Sequence, residues 1–125
     1  MSRIHYYIAF IVPVSFGILA LASIIGFLRN KAPSQWYWNL LAVAQVTLGV
    51  QVLFGALLFL SGLAPPGGGG PVWLHYAYGG LFPAALLVGA HRLGAKHQDV
   101  AWVIFGGVAI LNCGLTVRAL LTGLG

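Results

Sequence analysis

Apolar residues fill four long stretches of the chain, and short polar or Pro/Gly-rich segments separate them. The apolar stretches run over about residues 5–28, 39–62, 73–91 and 100–121. Each is long enough to cross a hydrocarbon core of about 30 Å as a helix. Because backbone groups in lipid must find their partners within the chain, helices are the expected spanning form. The pattern therefore predicts an all-α membrane protein with four transmembrane helices.

The three separating segments are short and differ in character. Segments 29–34 and 94–99 are polar, whereas segment 64–71 is rich in Pro and Gly and predicts an exposed, flexible loop. Short connections favour neighbouring antiparallel helices. We therefore expect residues 1–125 to form a single domain, an up-down-up-down antiparallel bundle.

The composition agrees with this class. Apolar residues make up 60% of the chain and charged residues 6%, whereas a soluble domain carries about 25% charged residues. The net charge of +5 is spread without a basic patch, so nucleic acid is not an expected partner. The single cysteine, Cys113, excludes a disulfide framework and a CxxC motif.

The distribution of Lys and Arg predicts the orientation. The first and third connections carry Arg29, Lys31, Arg92 and Lys96, whereas the second carries no basic residue. By the positive-inside rule the first and third connections face the cytoplasm. Both termini then lie outside an inner or plasma membrane, which we expect to be bacterial or archaeal.

Aromatic residues cluster near the ends of the predicted helices, as expected for belts at the two membrane surfaces. The predicted inner belt consists of Trp36, Tyr37, Trp38 and Trp102. The predicted outer belt consists of Tyr6, Tyr7, Trp73, Tyr76 and Tyr78.

A weak internal repeat links the first and third helices. Pro13 follows His5 by eight residues, and Pro83 follows His75 by the same interval. This spacing predicts a parallel repeat of a two-helix hairpin, with both histidines at one depth and facing each other. Tyr and His are also common at membrane surfaces, and Pro is tolerated in spanning helices, so chance similarity is the alternative.

Two imidazoles from facing helices are the ligand set of a six-coordinate b-type haem, which makes His5 and His75 candidate metal ligands. A chlorin pigment takes the same kind of ligand, so the sequence leaves the macrocycle open. The alternative is that both histidines lie at the interface and bond to water or carbonyl groups.

The other parts of a haem site occur at the same end of the predicted bundle. Arg3 and Arg118 are candidate partners for the propionates. Tyr6 and Tyr76 are candidate hydrogen-bond donors, and Gly79 leaves room for the ring. We therefore expect these five residues to contribute to cofactor binding.

Five polar residues lie in the middle of predicted helices: Gln45, Thr47, Gln51, Asn112 and Thr116. The favoured interpretation is hydrogen bonding between helices, worth about 1 kcal/mol each. The alternative is contact with a quinone or a pigment.

The general layout resembles the four-helix, bis-histidine units of membrane cytochromes b and half of a haem A synthase. The two outer histidines and one nearby arginine carry this resemblance. The acidic and His-Arg signatures of the synthases are not evident on the outer side, which argues against a synthase. The only acidic residue, Asp99, lies in a connection, which also argues against a proton-coupled antiporter.

Together these features predict a small integral-membrane haem b protein for electron transfer, with its bis-His haem near the outer, non-cytoplasmic surface. Expected partners are membrane lipid, a quinone, and other membrane subunits or further copies of this chain. Any enzymatic role would be that of a redox component. The alternative is a non-catalytic accessory subunit of a larger respiratory or photosynthetic membrane complex, which packs helices or holds a pigment.

Overall fold

A computed structural model describes residues 2–66 and 70–124, and all of the regular structure in them is helical. The five α-helices are α1 (Ser2–Leu28), α2 (Gln35–Leu60), α3 (Val72–Tyr76), α4 (Phe82–Lys96) and α5 (Ala101–Leu124). A π-helical turn, Ala77–Leu81, joins α3 to α4, and a 3₁₀ turn, Gln98–Val100, precedes α5.

Four helical segments are long and apolar enough to cross a membrane. They are Arg3–Leu28, Gln35–Leu60, Val72–Lys96 and Gln98–Leu124. The third of these, called the third span below, combines α3, the π-helical turn and α4. The predicted all-α class with four helices of membrane-spanning length is confirmed.

The helix bounds differ from the predicted ones where polar residues begin. Helix α2 starts at Gln35 rather than near residue 39, and the third span continues past His91 to Lys96. Hydropathy marks only the apolar part of a helix, whereas the backbone hydrogen bonds continue into polar residues at the membrane surface. The predicted exposed loop 64–71 includes residues 67–69, which lie outside the described part of the chain.

Helices α1 and α5 form the most extensive contact, because small residues let their backbones approach closely. A Cβ atom added at Gly106 of α5 would collide with the side chain of Ser23 on α1. A Cβ atom added at Gly26 would lie 2.8 Å from the carbonyl oxygen of Lys31 and 3.2 Å from Trp102. The buried Phe16 and Leu19 of α1 fill the core beside this contact.

The other two spans each pack on one member of this central pair. Helix α2 packs against α1, and the third span packs against α5. The backbones of α2 and the third span come close only at the π-helical turn. Side chains bridge the remaining gap at two places, through the Phe59–Tyr76 ring contact and the Gln45–His91 hydrogen bond. This leaves a cleft between α2 and the third span.

The π-helical turn has a cause in the sequence. Pro83 lies just after it and has no N–H, and its ring would clash with the carbonyl group of Gly79 in a regular helix. A widened turn relieves this clash. Pro83 itself is buried, and Asn112 Nδ2 on α5 donates to its carbonyl oxygen at 3.3 Å. The turn therefore presents Gly79 and Gly80 to the cleft.

Tyr37 does not belong to a surface belt, which corrects its predicted position. Its side chain is 0% exposed. Its hydroxyl donates to the carbonyl oxygen of Trp102 at 3.0 Å and accepts from the Ser23 hydroxyl, with an O···O distance of 2.8 Å. Burying a tyrosine is favourable here because its hydroxyl is fully bonded.

The α1–α5 contact makes a stability prediction with a matched control. We expect Gly106→Ala to destabilise the protein by about 1–3 kcal/mol, because the added methyl group overpacks the contact with Ser23. The neighbouring Gly107→Ala is the control, because a Cβ atom there meets nothing within 4 Å. Thermal unfolding of both variants in detergent, followed by circular dichroism, checks this. Equal melting temperatures for the two variants would contradict it.

Candidate functional site

The structure brings His5 and His75 together at one end of the cleft. Their ring centroids lie 6.1 Å apart, with an angle of 61° between the ring planes. His5 lies near the start of α1 and His75 lies in α3. Both side chains are half-buried. Residues seventy positions apart in the chain thus face each other.

Each imidazole keeps one nitrogen without a hydrogen bond to the described residues. His75 Nδ1 bonds to the carbonyl oxygen of Ala119 at 2.9 Å, which makes Nδ1 the protonated nitrogen and leaves Nε2 with a lone pair. His5 Nε2 lies 3.4 Å from Gln51 Nε2, at the long limit for a hydrogen bond. His5 Nδ1 is buried and has no partner there.

Glycines make room around both rings. A Cβ atom at Gly55 of α2 would lie 3.3 Å from His5 Cε1. A Cβ atom at Gly123 of α5 would lie 2.8 Å from His75 Cε1 and 3.1 Å from its Nδ1. On the π-helical turn, a Cβ atom at Gly79 would lie 3.3 Å from the Ala119 side chain. The space beside the histidines therefore depends on residues without side chains.

The cleft next to the histidine pair has a volume of about 510 Å³, within the range of small-molecule sites. Most of its walls are apolar, with Val12, Val52 and Leu81 among them. Its polar groups are the two histidines, Tyr76, Gln51 and Thr116, of which Thr116 donates to the Asn112 carbonyl of its own helix at 2.7 Å.

A second cleft of about 300 Å³ adjoins the first, because both are lined by His5, His75 and Tyr76. It also includes Tyr6, and residues 63–66 after α2 bound it. The imidazoles therefore have free space on two sides.

Unsatisfied polar atoms concentrate at this site. Gln51 Oε1 and His5 Nδ1 are buried and have no hydrogen-bond partner among the described residues. A buried donor or acceptor without a partner costs about 1–3 kcal/mol. Native proteins rarely retain such atoms unless a ligand or a water molecule supplies the missing hydrogen bond. The arrangement is therefore typical of a binding site.

A bis-histidine metal centre fits these observations. Two imidazole nitrogens that bind one metal ion from opposite sides, at about 2 Å each, place their ring centroids roughly 6 Å apart. The observed separation of 6.1 Å agrees with that value. Imidazole binds a metal through a ring nitrogen that carries no proton. His75 offers Nε2, and His5 offers Nε2 once it releases its long contact with the Gln51 amide nitrogen. The described residues hold no group of three or more His, Cys, Asp or Glu, so a metal here would need further ligands from its own cofactor.

The predicted site residues divide into two groups. His5, His75, Tyr6 and Tyr76 line the clefts, as does Gly79. Arg3 and Arg118 line neither of them and are exposed. Arg118 Nη2 lies beside Gly70, 3.6 Å from the position that a Cβ atom there would take.

Among the polar residues in mid-helix, the structure distinguishes two behaviours. Gln45, Gln51 and Asn112 bond to other helices, at His91, at His5 and at the Pro83 carbonyl respectively. Thr47 and Thr116 donate to carbonyl groups of their own helices instead. Short hydroxyl side chains readily bond to the preceding helical turn, which explains why the predicted bonds between helices do not form there.

Sequence reasoning missed Gly55 and Gly123 as part of the site and left Gln51 without a partner. Gln51 and Gly55 are four residues apart, so they share one face of α2. Nothing in the sequence identifies that face as the one toward His5.

Comparison with known protein families, with characterised proteins and with solved structures finds no match for this chain.

The glycine beside His75 makes a prediction about the site. We expect Gly123→Ala to lower the affinity for ferric haem about tenfold or more, because the added methyl group displaces the imidazole from its bond to Ala119. We expect the fold to tolerate this substitution, because the His75 ring can move away from the added methyl group. Gly114→Ala on the same helix is the control, since a Cβ atom there meets nothing within 4 Å. Haem titration followed by absorbance compares them, and equal affinities would contradict the prediction.

Proposed function

We propose that the chain is a small membrane haem b protein that transfers electrons, with His5 and His75 as axial ligands. The observation that carries this proposal is the 6.1 Å separation of the two imidazole centroids at the edge of an apolar cleft. A bound haem supplies one-electron chemistry at its iron.

The protein residues have distinct tasks in this proposal. The Ala119 carbonyl accepts from His75 Nδ1, which orients the ring and leaves Nε2 for the metal. Gly55 and Gly123 leave the space in which the imidazoles lie. The apolar walls of the larger cleft exclude water, and low polarity around a haem is one determinant of its reduction potential.

The smaller cleft suits the polar edge of the macrocycle. Tyr6 and Tyr76 line it and supply hydroxyl groups, and residues 63–66 bound it. Arg3 lies near the start of α1 and Arg118 near the end of α5, where they add positive charge at the same end of the molecule. A chlorin with two axial histidines would use the same residues.

The proposal extends to topology and location. We infer an up-down-up-down bundle built from two parallel hairpin repeats, in which His5 and His75 are equivalent positions. The basic residues of the first and third connections favour an inner or plasma membrane of a bacterium or archaeon, with both termini outside. The exposed apolar side chains on all four spans are suited to contact with lipid.

Substitution of the histidines tests the function. We expect His5→Ala and His75→Ala each to abolish the Soret band and the b-type α-band, because a haem held by a single imidazole is lost during purification. His91→Ala is the control, because His91 is exposed and bonds to Gln45 outside both clefts. Optical spectra with pyridine haemochrome analysis provide the measurement. Retention of the band in both single variants would rule out this ligand pair, and wild-type protein free of porphyrin would favour the accessory-subunit alternative.

A further inference from the structure

The side-chain amide oxygen of Gln51 accepts no hydrogen bond from the described residues. The side chain is 8% exposed and lies in the larger cleft. Its nitrogen faces His5, and its Oε1 has no hydrogen-bond donor among the described residues. A carbonyl oxygen accepts hydrogen bonds only. The position therefore suits a ligand that brings an O–H or N–H group.

The proposed haem does not provide this donor. Its four inner nitrogens bind the iron, and its rim carries hydrocarbon groups and propionates, which accept hydrogen bonds when ionised. The hydroxyl group of Thr116, also in the cleft, already donates to the Asn112 carbonyl. The haem and Thr116 therefore leave Gln51 Oε1 available to a donor from a second ligand.

The larger cleft continues away from the histidines. Ala84, which lines it, lies about 13 Å of helical rise beyond His75, and Val12 lies about 10 Å beyond His5. The walls there are apolar, including Val52 of α2 and Leu81 of the third span, and both of these side chains are exposed. The cleft thus opens sideways, between α2 and the third span, onto a surface suited to lipid.

We propose that this part of the cleft binds the ring of a lipid-soluble hydroquinone, whose hydroxyl group donates to Gln51 Oε1. Three properties of the site select this class of molecule. The apolar walls suit an aromatic ring, the lateral opening suits a hydrocarbon tail, and the unused acceptor suits a ring hydroxyl. The inference rests on the proposed function, because the hydroquinone is the partner of a haem held at the same cleft.

The test is a binding titration on the full chain in detergent, loaded with haem and kept reduced and anaerobic so that no electrons are exchanged. The probe is a 1,4-naphthohydroquinone with a decyl side chain, and calorimetry measures its affinity. We expect saturable binding to the wild type and a Kd that is about five- to tenfold weaker for Gln51→Leu, which removes one hydrogen bond. Gln45→Leu is the matched control on the same helix, because Gln45 bonds to Leu41 and His91 outside the cleft.

A second probe keeps the test independent of how well the variant folds. The dimethyl ether of the same hydroquinone has no hydroxyl donor, so we expect it to bind the wild type more weakly by a similar factor. Binding that does not saturate, equal affinities for wild type and Gln51→Leu, or equal affinities for the two probes would each overturn the inference.

Haem content measured in the same samples separates the two proposals. Protein that holds haem on His5 and His75 but binds no hydroquinone overturns the site at Gln51 alone. Protein that binds hydroquinone in a Gln51-dependent way but takes up no haem overturns the proposed function, and with it the assignment of the hydroquinone as a partner of haem.

Discussion

The close approach of α1 and α5 is the contact on which the rest of the structure depends. In lipid no hydrophobic force drives helices together, so association relies on close packing and on hydrogen bonds between helices. Gly106 and Ser23 provide the close packing, and the Tyr37 hydroxyl joins α2 to both helices through Ser23 and the Trp102 carbonyl. With α1 and α5 held in one register, the other spans occupy the flanks and the cleft forms between them.

The candidate site follows directly from that register. His5 comes from α1, while the carbonyl that orients His75 and the glycine beside its ring come from Ala119 and Gly123 of α5. Because the third span packs against α5, sliding α5 by one turn along α1 would carry His75 about 5.4 Å from its position beside His5. The π-helical turn before Pro83 then places glycine backbone, rather than side chains, against the opening.

Polarity is distributed unevenly in this apolar molecule. Among the described residues, three buried side-chain atoms lack a hydrogen-bond partner, and two of them, His5 Nδ1 and Gln51 Oε1, lie at the cleft. The third, Asn112 Oδ1, belongs to a side chain whose amide nitrogen already bonds to Pro83. Each buried atom without a hydrogen bond costs about 1–3 kcal/mol of stability. Two such atoms next to a cleft therefore favour a site in which a ligand supplies the missing hydrogen bonds.

The sequence by itself determined the four helices, because continuous apolar stretches of about 20 residues suit a membrane-spanning helix, in which the backbone groups bond within the segment. The equal spacing from histidine to proline also directed attention to His5 and His75. Only the tertiary structure decided which side of each helix faces inward. Tyr37 is buried instead of interfacial, Gln51 turns to His5, and Gly123 lies against His75. Helices that are apolar all round carry no pattern that separates a protein-facing side from a lipid-facing one, so their packing partners are set by contacts between distant residues.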